Sequence, residues 1–231
     1  MNSKAGPTGS TRRTAIAVGA LILTATVSYL AGSALIDSAL DATGSDPNAT
    51  QVRVGVFLEF VNAAAVVGVG VLLFPILRRY REGMALGYAA TRIIESALLL
   101  TSALFALLLV ADGSELRTFG EFATEGRDLA FQLAMIALGL GSLLLCFILY
   151  EARLVPRALP LLGFVGYVAL FASGWLEIGG RDAAVLYIPG GLFELIFPLW
   201  LIAKGFNEPT AAAPRQAQEQ AESAASAHIA G

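Results

Sequence analysis

Six stretches of nearly unbroken apolar residues divide the chain, at about 14–36, 53–77, 84–110, 128–150, 157–178 and 184–203. Each is long enough to cross a hydrocarbon core of about 30 Å, which takes about 20 helical residues. Open strands would leave backbone groups unpaired in lipid, and no run of about ten alternating residues suggests a membrane barrel. The pattern predicts an all-α fold, a polytopic transmembrane bundle of six helices occupying 14–206 after a cytoplasmic segment 1–13. The connections are short apart from 37–52 and 111–127, each too small for a domain. Residues 207–231 turn rich in Ala, Gln, Glu and Pro with no sustained apolar face, which predicts a disordered cytoplasmic tail.

Composition agrees with the pattern. Hydrophobic residues make up 56% of the chain and charged residues 14%, whereas a soluble domain carries about 25% charged residues. The net charge of −3 and the lack of a basic stripe exclude nucleic acid as a partner. Basic residues set the expected orientation. Lys4, Arg12, Arg13, Arg78, Arg79, Arg81, Arg153, Arg157, Lys204 and Arg215 fall on the side of the amino terminus, and only Arg53, Arg117, Arg127 and Arg181 on the other. The positive-inside rule then places both termini in the cytoplasm. The opening "TRRTAIAVGALILTATVSYLAGSALIDSA" has the flanks of a signal peptide, but its apolar core of about 22 residues exceeds the roughly 7–15 of such a segment, so a retained first helix is expected. The lone Cys146 lies in an apolar run and reads as a packing residue.

Charges inside the spans are the unusual feature, since each costs about 2.5–3.5 kcal/mol to insert. Arg92 and Glu95 lie on the third span, Glu59 on the second and Glu194 near the middle of the sixth. At helical spacing Arg92 and Glu95 are about 60° apart, with Tyr88, Ser96, Leu99, Ala103 and Ala106 on the same side. On the second span Gly55, Glu59, Asn62, Ala63, Val66 and Gly70 share one sector, and on the sixth Tyr187, Gly190, Glu194 and Pro198 do. Polar groups coinciding with small residues mark surfaces turned toward other helices, so these three faces are expected to meet. One arginine cannot neutralise three carboxylates, so at least one carboxyl is expected to be protonated or to reach water. Gln132 reads as interfacial, the glycines at 139, 141, 163 and 166 as packing notches, and Pro75, Pro189 and Pro198 as helix bends or ends. Arg153 and Arg157 around "LVPR", with the "RRYRE" turn at 78–82, read as head-group anchors.

Several chemistries are unsupported. The only histidine, His228, is in the tail, which leaves no histidine-based metal or haem site, and Cys146 has no activating base. No phosphate-binding loop occurs. The "NAT" at 48–50 matches a glycosylation sequon on the predicted outer side.

Three segments, "LLFPILRRYREGMALGYAATRIIES" (72–96), "EARLVPRALPLLGFVGY" (151–167) and "YIPGGLFELIFPLWLIAKGFN" (187–207), together resemble the bacterial domain-of-unknown-function family 4386. The resemblance rests on Arg92 with Glu95, on Leu154, Val155, Pro156 and Arg157, and on Pro189, Gly191, Glu194, Trp200, Lys204, Gly205 and Phe206. It implies a six-span protein of the bacterial cytoplasmic membrane and carries no activity with it.

The residues leave three readings. Arg92, Glu95, Glu194, Glu59, Asn62 and Tyr88 form an intramembrane polar cluster that binds or transports a proton or small polar solute, with the lipid bilayer as environment and no cofactor, metal or catalytic residue. Alternatively the same charges fix helix packing in a non-catalytic structural or assembly module. An enzyme acting on lipid is the third, and the absence of an evident nucleophile or metal makes a non-enzyme the expectation.

Overall fold

The computed structural model describes residues 9–40, 48–111 and 120–207. The predicted tail, from 208 on, lies outside them. Six long helices account for most of this chain: α1 Gly9–Leu40, α2 Ala49–Leu77, α3 Glu82–Leu109, α4 Gly120–Glu151, α5 Ala158–Ile178 and α6 Tyr187–Ala203, the last entered through a 3-10 turn at Ala184–Leu186. All six segments are long and apolar enough to cross a membrane. Large apolar side chains stay exposed around the outside, among them Phe57, Leu86, Ile93, Leu104, Val165 and Leu199. A surface of that kind needs lipid rather than water against it, and the protein is a multi-pass membrane protein.

The helices close into a ring. Each packs against its neighbours in sequence, and α6 returns to pack against α1. Small residues set the approaches. A methyl group at Gly166 would come 2.6 Å from the backbone nitrogen of Gly190, so α5 and α6 touch main chain to main chain. Gly139 faces Phe171 and the Tyr167 carbonyl on α5, while Gly141 faces Thr91 on α3, so two glycines serve opposite sides of α4. On the far side of the ring Gly32 and Gly55 bring α1 against α2.

The α1–α6 closure is fastened at one end. The Arg12 guanidinium donates to the carbonyls of Leu201 (3.0 Å), Ile202 (2.7 Å) and Ala203 (3.3 Å), satisfying the last turn of α6 with a cation where the helix dipole favours one. Two turns along α1, Gly19 sits against Ile202 and the Pro198 carbonyl. The chain after α6 then folds under α5. Gly205 takes φ +78°, Phe206 is buried, and Asn207 donates from its backbone to Leu154 O (2.7 Å) and from its amide to Arg153 O (3.3 Å). The "LVPR" and "KGFN" segments therefore meet. Arg153 is left-handed at φ 52°, a conformation that glycine favours, and it turns the buried Leu154 and Val155 into the base of the bundle. Nearby, Arg81 forks onto Glu151 (2.9 and 2.5 Å), joining the start of α3 to the end of α4 in an exposed pair.

Two sequence expectations are corrected. The fourth helix begins at Gly120, not 128, which places Arg127 on a helix instead of in a loop. And α3 and α6 are not neighbours in the ring, so the three polar faces do not all pack together: α2 meets α3, while α6 stands across the interior.

Replacing Gly166 by Val forces backbone apart and is expected to destabilise the protein by about 1–3 kcal/mol. Thermal unfolding in nanodiscs reads this, with Gly191→Ala as control, because a Cβ at 191 meets no atom within 4 Å.

Candidate functional site

The predicted helix faces do point inward. Glu59, Asn62, Tyr88, Arg92 and Glu95 are all buried, at 7% exposure or less. Gly70 leaves the space in which the Arg92 stem lies, since a Cβ there would stand 3.1 Å from Arg92 Cβ. Arg92 Nη2 is 2.8 Å from Glu95 Oε2 one turn along the same helix, and it donates across to α4, to Ser142 Oγ (3.2 Å) and the Leu138 carbonyl (3.4 Å). Its guanidinium also lies over the Tyr88 ring, 5.3 Å from the centroid. The pair is close in distance but poorly aligned, for Glu95 Oε2 and Arg92 Nε lack a hydrogen-bond partner among the described residues.

Glu194 reaches the same interior from α6. Its Oε1 accepts from the Tyr167 hydroxyl of α5 at 3.3 Å, and it has no ion-pair partner among the described residues. Unlike Glu95, which is 3% exposed, Glu194 keeps part of its surface open. That surface belongs to the wall of a central cavity of about 350 Å³, lined also by Arg92, Glu95, Tyr88, Ser142 and Tyr167 and otherwise largely by apolar side chains. Pro198, four residues on, supplies no N–H to the Glu194 carbonyl, which leaves the main chain as well as the side chain under-satisfied at this position.

Glu59 is not part of that cluster. It pairs with Arg127 of α4 (3.6 Å), which also reaches Asp37 of α1 (3.3 Å). These three line a second cavity of about 200 Å³, with Ser33, Ser102 and Asp128. The expectation of a single cation among three interior carboxylates fails here, because the longer α4 carries Arg127 into the ring. The signal existed in the sequence: Ala123, Ala130 and Ala134 are buried at helical spacing on either side of Arg127 and lie on its face.

Asn62, Tyr29, Leu99 and Phe131 line both cavities, so the two adjoin at this level. A row of stacked rings crosses there, Tyr29 on Phe131 (5.6 Å between centroids) and Phe131 on Tyr187 (6.4 Å). Beside it lies a third polar group that the sequence reading missed. The Tyr187 hydroxyl is 2.9 Å from Glu177 Oε2 and 3.0 Å from Gln132 Oε1, Gln132 donates to Glu177, and Ser173 Oγ is 3.2 Å from the other Glu177 oxygen. Gln132 thus bridges α4, α5 and α6.

Removing the cation alone tests the Arg92–Glu95 pair. Arg92→Met strands a buried carboxylate, a change that costs about 3–5 kcal/mol, and Arg92→Met with Glu95→Leu recovers most of it. Both effects are read as shifts in the midpoint of thermal unfolding.

The family model described as Domain of unknown function (DUF4386) matches residues 17–205. No curated protein and no solved structure matches the chain.

Proposed function

Because the chain belongs to the DUF4386 family, whose description names no activity, we propose a function from the geometry alone: the bundle binds, and moves across the membrane, a proton or a small solute with a polar group. The protein resides in a bacterial inner membrane with both termini cytoplasmic, and it is not an enzyme. One observation carries the reading. Glu194 lines the central cavity with no ion-pair partner among the described residues, while of the other carboxylates that line the two cavities Glu95 has Arg92 and Glu59 and Asp37 share Arg127, the exposed Asp128 apart. A structural clip needs every charge matched, because an unmatched buried charge is a cost without return. A carboxyl left open to a cavity is equipment for taking up a cation or a proton.

The competing reading, that the charges only fix helix packing, is favoured at Arg92, which is held at once by Glu95, Ser142, Leu138 and Tyr88. It describes the wall of the cavity without accounting for Glu194.

A water-soluble carbodiimide applied to the protein in lipid distinguishes the two. Glu194 is expected to react about ten-fold faster than Glu95, as accessible and enclosed carboxyls do, and Glu194→Gln is expected to abolish that reaction while leaving the melting temperature nearly unchanged. An unreactive Glu194 together with early melting of the variant would leave the packing role alone.

A further inference from the structure

The cavity has a shape and a lining that narrow its occupant, an inference that rests on the reading of this cavity as a binding site. Along the lower half of the ring α1 and α6 are in contact, through Arg12 on the α6 carbonyls and Gly19 against Ile202 and Pro198. Higher up, α1 is held by α2 instead, with Gly32 against Gly55 and Glu59, and Gln51 bound to Leu35 O (3.1 Å) and Ser38 Oγ (2.7 Å). Above its contact with α1, α6 is held by α5 through Gly166 and Gly190. The two helices thus follow different partners. Between them Thr26 and Leu30 of α1 and Gly191 and Leu195 of α6 line the cavity, and Leu30 and Leu195 are 61% and 47% exposed. The stacked Tyr29, Phe131 and Tyr187 rings lie at the cavity's outer end, where it adjoins the second cavity. The cavity therefore has a sideways opening, toward the acyl chains of the bilayer.

We propose that the central cavity takes an amphipathic cation, a hydrophobic amine or quaternary ammonium, which enters from the lipid between α1 and α6 and sets its charged head against Glu194. Three features select this class. The lining is mostly apolar, which suits an apolar body and gives little to a hydrophilic solute. Of the three charges in the cavity Arg92 and Glu95 pair with each other, which leaves the negative charge of Glu194 with no ion pair among the described residues, in the more distant field of Arg92 and hydrogen-bonded by the Tyr167 hydroxyl. Aromatic side chains line the same cavity, Tyr167 with its hydroxyl on Glu194 and Tyr88, Phe131 and Tyr187 further along, and aromatic rings attract alkylammonium groups.

The test is calorimetric titration of the full chain in nanodiscs with three small probes: benzyltrimethylammonium, tetramethylammonium and benzenesulfonate. Benzyltrimethylammonium is expected to bind about ten-fold more tightly than either of the others, and Glu194→Gln to weaken it by about ten-fold. Gly191→Phe keeps the inference testable should Glu194→Gln fold poorly, since position 191 has open space around it. That variant narrows the gap, and by stopped-flow tyrosine and tryptophan fluorescence it is expected to slow association about five-fold with a smaller change in affinity. Equal binding of benzenesulfonate would overturn the cation assignment, and equal binding of tetramethylammonium the amphipathic one. Failure of all three probes with Glu194 still reactive toward carbodiimide would sink this inference and leave the cavity as a site for a proton or small polar solute. An unreactive Glu194 would remove both.

Discussion

Ring closure is the constraint from which the interior follows. Six helices in a bilayer satisfy their own backbones, so their arrangement is decided by side-chain contact alone. With the main chains of neighbouring helices packed together and α6 returned to α1, the centre of the ring is left for side chains to span and fill. Large side chains fill the lower part, where Phe197, Leu201 and Leu73 are fully buried. Above them the filling is polar and incomplete, and the central cavity is the remainder. Arg12 and Gly19, which close the ring, hold α1 on the α6 segment that follows Glu194.

The buried charges divide along the same line. Each arginine that projects into the ring comes from a helix flanked by small residues, Gly70 opposite Arg92 and the alanines of α4 beside Arg127, because a guanidinium needs room for its stem before it can reach a carboxylate. Such pairs are weak sources of stability, since desolvation consumes most of the Coulomb gain, but breaking one is expensive. They are better understood as fixing which helices face each other. Arg127 ties α4 to α1 and α2, and Arg92 ties α3 to α4.

Most of the fold was legible in the sequence because hydrophobic length and helical phase are local properties. The six spans, the inward faces of α2 and α3, and the packing glycines at 139, 141, 163 and 166 follow from spacing within one helix. Partnership between helices does not. Phase says that Glu59 and Arg92 both point inward, but height along the bundle and order around the ring decide whether they meet, and they do not. Arg127 was hidden by a boundary. The polar sequence before 128 breaks the apolar run, although the helix continues through it with one buried face. Tyr167, Ser142 and the Gln132–Glu177–Tyr187 group escaped for another reason: each is a polar residue unexceptional on its own helix, and only the neighbouring helix gives it a partner.

What separates Glu194 from the other carboxylates is the element that carries it. α6 is the shortest of the membrane helices, begins after a 3-10 turn and contains Pro198 one turn beyond the glutamate. Gly190 and Gly191 precede it, so on this stretch α6 has little side chain of its own with which to pack. A rigid, well-filled helix would have supplied Glu194 with a partner or excluded it. Here the glycines thin the wall, the proline releases the Glu194 carbonyl, and the carboxyl is left facing open volume with one tyrosine hydroxyl for company. The sparse packing of α6 around its glutamate and the cavity that the glutamate lines thus have one origin.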